Sequence, residues 1–317
     1  MYPLKNLQTP DCCISKIKPA CLRFAQRLLS AVLLIFASWL FFPAHASAQV
    51  TPLQIVQQVV RNELDADAND HTPWMYRDVK QTPEKHTVKL VIETHEGSLS
   101  ELVEQDGHPL SPQDRQQENQ RIDQLVSDPS AQQKQRKNDQ HDEQQARSMM
   151  EMLPHAFLWK ETGRANGEIT LSYVPNPDFE PPSMESRVLA AMSGTLSVDE
   201  KQMRLKELHG TLTRPVTFGW GLFGKLDQGG TFHIIRTEVA PHEWQITQTH
   251  VHIQGRALLF KSIGDQEDEE TSDYRRAPDS LSLRQAADML KSGEVARRLS
   301  DTPSGQAQLA DSHRRHH

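Results

Sequence analysis

This 317-residue chain has only three cysteines, and all of them (Cys12, Cys13 and Cys21) lie in its first 21 residues. The rest of the chain therefore has no means of forming a disulfide, a thiol nucleophile or a thiolate metal site. Aromatic residues make up only 6% of the sequence. A domain without covalent cross-links depends on its apolar core, and the chain is long enough to bury one.

Only one long apolar run is present, at residues 28–42. Basic residues precede it and Pro43 ends it, followed by small residues at Ala46 and Ala48. This order is typical of a secretory signal peptide with cleavage after Ala48, and it predicts a periplasmic protein. At about 15 residues, the run is shorter than the roughly 20 needed to span a bilayer. The alternative is an uncleaved anchor that holds the protein in the inner membrane through residues 28–42.

The chain has a net charge of −7. Since residues 1–48 contain five basic and one acidic side chain, cleavage would leave a domain of charge −11 with no stable transmembrane segment. An acidic surface is poorly suited to binding nucleic acid, so we expect no nucleic-acid partner.

The periodicity of apolar residues predicts an α+β protein. After Pro52 the spacing is three and four, as in an amphipathic helix, and from residue 88 it alternates as in strands. Residues 111–153 are rich in glutamine and charge, and they predict a solvated helical insertion with a break near Asp128. Strand patterns separated by turn signals then recur to about residue 263, as in one antiparallel meander, and Ser280 precedes a last helix.

The predicted architecture is a large curled antiparallel sheet, a half-barrel, covered by a few helices. We expect a signal peptide at residues 1–48, a single domain at 49–293 that contains the insertion, and a disordered tail at 294–317. The helices near residues 52–64, 146–153 and 283–290 would cover one concave apolar face.

Two short motifs indicate cofactor or metal chemistry only weakly. The segment from Gly219 to Gly224 matches the dinucleotide pattern G-x-G-x-x-G, but a strand follows it where a helix is needed, so we interpret it as a bend and expect no cofactor. His250 and His252 share a strand face, with His233 possible on a neighbour, and they are weak zinc candidates. The same pattern also fits the solvent-exposed face of a half-buried sheet.

No nucleophile motif, catalytic triad or carboxylate pair is recognisable, so a non-enzymatic protein is favoured. A curled sheet with helical lids often encloses a ligand cavity. The candidate lining residues are aromatic or Met side chains, namely Phe157, Trp159, Tyr173, Met192, Trp220 and Phe232. The alternative is that these side chains form ordinary core.

Three stretches carry a resemblance: TPLQIVQQVV, ETHEGSLSELVEQDGHPL, and the meander from RVLAAMSGTLSVDEKQMRLKELHGTL to WQITQTHVHIQGRALLFKSI. Their order resembles the periplasmic lipoprotein-carrier and sorting (LolA/LolB-like) half-barrel superfamily, and the chain is also similar to exported bacterial proteins with no assigned function. The resemblance implies an open half-barrel whose cavity holds acyl chains. The Gln-rich insertion and the segment FGWGLFGKL depart from that pattern, and no functional residue carries over.

The favoured hypothesis is an exported non-enzymatic protein that binds an apolar or lipid-like ligand, such as an acyl chain. One alternative is an envelope interaction or sensor protein that docks a protein partner without a ligand. The other is a periplasmic hydrolase, which a cleft with converging polar residues and a shifted pKa would favour.

Overall fold

One open antiparallel sheet of 13 strands organises the protein in the computed structural model, which describes residues 50–218, 224–257 and 262–301. The α+β fold with a large sheet covered by helices is as predicted. The predicted signal peptide with its cysteines, residues 219–223 of the glycine-rich motif, and residues 302–317 lie outside the described residues.

The strands are β1 Trp74–Gln81, β2 His86–Thr94, β3 Gly97–Gln105, β4 His108–Pro109, β5 Phe157–Ala165, β6 Glu168–Pro175, β7 Met192–Asp199, β8 Arg204–Leu212, β9 Val216–Phe218, β10 Gly224–Leu226, β11 Thr231–Ala240, β12 Glu243–Ala257 and β13 Ser262–Arg276. The helices are α1 Pro52–Asn69, α2 Pro112–Ser127, α3 Pro129–Ala156, α4 Met184–Leu189, α5 Leu283–Lys291 and α6 Glu294–Ser300.

The strand order is β4-β3-β2-β1-β13-β12-β11-β8-β7-β6-β5, with the short β9–β10 hairpin attached to β12. The predicted meander runs from β5 to β13. The N-terminal strands join it at its far end, because β1 pairs with β13, with Val79 opposite Glu270. This pairing joins strands that lie far apart in the sequence.

The chain enters the domain through α1, whose start is set by local hydrogen bonds. The Gln54 amide donates to Thr51 Oγ1 at 3.2 Å, the Thr51 amide donates to Gln54 Oε1 at 2.8 Å, and Pro52 occupies the first turn. This capping box satisfies N–H groups that the first turn leaves open. The predicted apolar stripe of α1 is buried against the sheet.

The apolar side chains form two cores. The first core lies between α1 and strands β5 to β8. It includes Ile55, Val56, Leu153, Phe157, Ile169, Leu171, Tyr173, Met192, Leu196, Leu208 and Leu212. The second core lies against β1 to β3 and includes Met75, Leu90, Ile92, Leu99, Ile122, Leu283, Ala286, Leu290, Val295 and Leu299.

The two cores lie on opposite faces of the sheet. Residues that pair directly across an antiparallel ladder point to the same face. One such row crosses five strands through Val79, Glu270, Gln248, Ile235 and Glu207. Met75 of the second core shares the face of Val79, whereas Leu208 of the first core follows Glu207 and points to the other face. The prediction that all three helices cover one face is therefore wrong: α5 covers the face opposite α1.

The Gln-rich insertion forms α2 and α3, and the helix breaks at Asp128 as predicted. Its side chains bond to the outer edge of β3: Gln135 Nε2 donates to the Ser98 carbonyl at 3.0 Å, Arg121 Nη2 donates to the Ser100 carbonyl at 2.5 Å, and Glu118 Oε1 accepts from the Leu102 amide at 2.8 Å. The insertion is thus more than a solvated hairpin, because it covers a sheet edge that could otherwise pair with another chain.

The predicted disordered tail is wrong at its start. Gly293 adopts a left-handed conformation with a φ of 71°, and the chain continues into α6. Val295 and Leu299 of α6, four residues apart, are buried in the second core. Because α6 has only seven residues and lies in a polar stretch, its apolar spacing is too short a pattern to predict a helix from the sequence.

Candidate functional site

The residues predicted to line a cavity are packed together in the first core. Phe157, Trp159 and Tyr173 form an aromatic cluster, with ring centroids 4.5 to 5.7 Å apart. Met192 is buried in the same core and Phe232 packs against it. Trp220 lies outside the described residues.

The first core is filled tightly around Tyr173. Its hydroxyl donates to the His209 carbonyl at 2.9 Å. A Cβ atom added at Gly210 would lie 2.2 Å from the Phe232 ring and 2.6 Å from the Tyr173 hydroxyl. These are the contacts of an ordinary core, the alternative that the sequence left open.

The predicted histidine face exists and extends across four strands. His209, His233 and His250 pair directly across β8, β11 and β12, and their successive ring centroids are 5.7 and 5.8 Å apart. His250 Nδ1 and His252 Nε2 lie 2.7 and 3.0 Å from Asp268 Oδ1. The hydrogen bond from His250 is the main reason why the pKa of Asp268 lies below its usual value.

Within the described residues, no group of three or more His, Cys, Asp or Glu side chains is arranged to hold a metal ion. The histidine face instead forms polar pairs on an accessible surface of the sheet, since a second pair joins His233 Nε2 to Glu207 Oε1 at 2.7 Å. The sequence did not indicate Glu207 or Asp268, because only strand register brings Asp268 opposite His250 and Glu207 next to His233 on the same face.

A buried ion pair, which the sequence did not indicate, fixes α1 to the sheet. Glu63 of α1 accepts from Arg204 Nε at 2.9 Å, from Arg204 Nη2 at 3.0 Å and from the Leu205 amide at 2.7 Å, and Arg236 also donates to it. Burial by itself would raise the pKa of Glu63. The hydrogen bond from Arg204, the two guanidinium charges and the Leu205 amide together hold that pKa below its usual value.

A cleft of about 300 Å³ opens beside the second core, between β2, β3, α2 and the turn from α5 to α6. Its apolar lining residues are Leu90, Leu102, Val103, Leu110, Leu290 and Ala296. Its polar lining residues are Glu101, Arg115, Lys291 and Ser292. Another depression, near Gly97, has a volume of only about 10 Å³, roughly the space of one water molecule.

Local backbone features shape the cleft. Val88 pairs with Glu104 and Lys89 pairs with Leu102, so Val103 is an extra residue that makes a β-bulge in β3. A bulge bends its strand and redirects the side chains around it. On the facing side, the left-handed Gly293 turns the chain sharply between α5 and α6.

Glu101 is the buried charge of this cleft. Its exposed fraction is 9%, and its carboxylate has no hydrogen-bond or ion-pair partner among the residues that the structure describes. Burial is the main cause that raises its pKa, the charge of Glu118 adds to that rise, and the charge of Arg115 opposes it. Its carboxylate oxygens remain accessible from the cleft, and a carboxylate with a raised pKa in a cleft is a common feature of functional sites.

The two cations of the cleft differ in their surroundings. Lys291 Nζ lies 2.5 Å from Asp123 Oδ1 and 3.6 Å from Asp288 Oδ1, so acidic neighbours already balance its charge. Arg115 is exposed and makes no side-chain ion pair within the described part of the chain. Glu101 and Arg115 could not be identified from the sequence, because they come from a strand and a helix that only the tertiary structure brings together.

Comparison of the chain with protein-family models, with curated proteins and with solved structures finds no match. Among the described residues, no helix is both long enough and apolar enough to cross a membrane.

Proposed function

We propose that this is an exported, non-enzymatic protein that binds an apolar or lipid-like ligand in the cleft between β2, β3, α2 and the α5–α6 turn. The observation that carries the proposal is a cleft of about 300 Å³ whose lining combines six apolar side chains with a few polar ones. Small-molecule sites have volumes of roughly 300–1,000 Å³ and are mostly apolar, with a few polar groups that orient the ligand.

The proposal keeps the ligand class expected from the sequence but moves the site. The expected lining residues around Tyr173 pack against each other, whereas the cleft is open space next to Leu290 and Val103. Burial of apolar ligand surface there would contribute about 25 cal/mol per Å². Export to the periplasm and a carrier-like role rest on the N-terminal pattern and on the family resemblance.

A hydrolase is the second candidate, because Glu101 combines burial, a raised pKa and a position in a cleft. Nucleophilic catalysis needs a nucleophile within hydrogen-bond reach of a base. The hydroxyl of the cleft is Ser292, whose Oγ donates to the Met289 carbonyl at 3.2 Å. Binding therefore fits the cleft better than hydrolysis.

The test is native mass spectrometry of the full chain purified from an envelope fraction, together with calorimetric titration by octanol. We expect a co-purified apolar ligand, or saturable octanol binding by the stripped protein. Ala296→Phe should fill the cleft and weaken binding by at least about tenfold, a loss of roughly 1.4 kcal/mol of binding free energy. Ser300→Phe, at the exposed end of the same helix, is the matched control and should bind normally.

A protein that is reproducibly ligand-free and does not bind octanol would refute the proposal. If such a protein instead captured a stable envelope partner in cross-linking experiments, the docking alternative would be favoured. Turnover of 4-nitrophenyl octanoate that Glu101→Gln abolishes would favour the hydrolase.

A further inference from the structure

We propose that the ligand of this cleft carries an amine, or a similar hydrogen-bond-donating cation, which pairs with the carboxylate of Glu101. This inference rests on the proposed function, because it names the chemical class of the ligand for the same site. The inference follows from two observations. Glu101 is the buried charged residue of the cleft, and the charge of Lys291 is already balanced by acidic neighbours.

Glu101 lines the cleft from β3, where it pairs across the ladder with the apolar Leu90. Its side chain is nine-tenths buried and has no polar partner among the described residues, yet it borders the open volume of the cleft. A bound amine would supply both the missing hydrogen-bond donor and the missing countercharge. Hydrogen bonds between charged groups are roughly twice as strong as neutral ones.

The other charges of the cleft favour a cation over an anion at this position. Lys291 already has Asp123 and Asp288 as neighbours, and Arg115 is exposed to solvent. An anionic head group placed beside Glu101 would be repelled by its carboxylate. A cation placed there is attracted by Glu101 and only partly repelled by Arg115.

The volume limits the size of the ligand. A cleft of about 300 Å³ lies at the lower end of the range of roughly 300–1,000 Å³ that small-molecule sites have. An alkyl chain of about eight carbons with a small head group fits such a space. Octylamine, octanol and octanoate therefore form a matched series in which only the head group changes.

The experiment is calorimetric titration of the full chain with these three compounds at pH 7. We expect octylamine to bind more tightly than octanol, and octanol more tightly than octanoate. Glu101→Gln should weaken octylamine binding by about tenfold to a hundredfold and leave octanol binding nearly unchanged. Arg115→Gln should tighten octylamine binding a few-fold, because it removes the opposing charge.

Glu104→Gln is the matched control, since Glu104 lies on the same strand but does not line the cleft. It should bind all three compounds as the unmodified protein does. Thermal melting of each variant shows whether it is folded, and the expected tightening in Arg115→Gln is a gain that unfolding does not produce.

The outcomes separate this inference from the proposed function. If none of the three compounds binds, the proposed function fails. If all bind with similar affinity and Glu101→Gln changes nothing, the cleft binds apolar ligands but the amine assignment is wrong. Preferential binding of octanoate that Arg115→Gln abolishes would overturn the assignment in favour of an anionic ligand.

Discussion

The two cores lie on opposite faces of one sheet, and they differ in how tightly they are packed and in whether their buried carboxylate is paired. The first core fills its space with aromatic rings around Tyr173, and it pairs its buried carboxylate, Glu63, with Arg204 and Arg236. The second core leaves a cleft of about 300 Å³ beside it and a buried carboxylate, Glu101, without a partner.

The same residue type therefore has opposite properties on the two faces. The pKa of Glu63 is lowered because two guanidinium groups and a backbone amide outweigh the effect of burial. The pKa of Glu101 is raised because the effect of burial outweighs the opposing charge of Arg115. The first core therefore has its buried charge paired, whereas the cleft in which we propose that a ligand binds lies next to the second core.

The largest expected effect comes from removing the paired carboxylate of the first core. Glu63→Ala leaves Arg204 and Arg236 buried without their partner, and should lower the free energy of unfolding by about 3–5 kcal/mol. Urea denaturation at pH 7 measures this loss. The control is Glu294→Ala, which removes an exposed pair with Arg298 and should cost less than about 1 kcal/mol. Similar losses in both variants would contradict the assigned role of Glu63.

Substitutions that enlarge a side chain should distinguish the packed first core from the open cleft. Gly210→Ala forces a Cβ against Phe232 and Tyr173, so we expect a loss of about 1–3 kcal/mol in the free energy of unfolding. Ala296→Leu adds more atoms but extends into the cleft, and should change the free energy by no more than about 0.5 kcal/mol. Equal losses in the two variants, measured by urea denaturation, would mean that the cleft is as tightly packed as the first core.

Neutralising the unpaired carboxylate should stabilise the protein. Because the folded-state pKa of Glu101 is raised, the folded protein loses stability as the pH rises above the ordinary glutamate value of 4.5 and through the folded pKa. Glu101→Gln should therefore match the unmodified protein at pH 3.5 and exceed it at pH 7, by less than about 2 kcal/mol.

Thermal melting at the two pH values measures this gain, and Glu63→Gln is the control of opposite sign. The lowered pKa of Glu63 contributes stability that is present above pH 4.5 and is lost as the pH falls through the folded pKa. Glu63→Gln should thus be destabilising at pH 7 and less so in acid. Two variants that shift in the same direction at pH 7 would refute the contrast between the two carboxylates.

The smallest effect is expected on the histidine face, where exposed polar side chains pair across β8, β11, β12 and β13. Asp268→Asn removes an exposed acceptor of His250 and His252, and should change the free energy of unfolding by no more than about 1 kcal/mol. The lowered pKa of Asp268 means that its contribution is present above about pH 3.8 and is lost in stronger acid. Urea denaturation at low and high salt measures the effect, and a loss of several kcal/mol would show that this face is a structural element in its own right.

Features that depend on neighbouring residues could be predicted from the sequence. Asn166 and Gly167 both adopt positive φ, at 54° and 76°, as the predicted hairpin turn requires. Thr51 and Pro52 mark the start of α1, and Asp128 marks the break in the insertion. Each of these depends on the conformation of a few consecutive residues.

The candidate site could not be predicted, because its parts come from separate elements. Glu101 lies in a stretch that has the usual alternating pattern of a strand, and Arg115 is one of many charged residues in the insertion. Nothing in their spacing indicates that α2 packs beside β3. The aromatic residues had the right composition for a cavity, but only packing decides whether such side chains fill a space or line one.

Most element types, the Asn166–Gly167 hairpin, the start of α1 and the α+β class follow from the sequence, because backbone conformation and apolar periodicity are local properties. The tertiary structure alone decided that β1 pairs with β13, that α1 and α5 cover opposite faces, and that one buried carboxylate is paired while the other is open. These depend on contacts between residues that are distant in the sequence, where register and packing set the outcome.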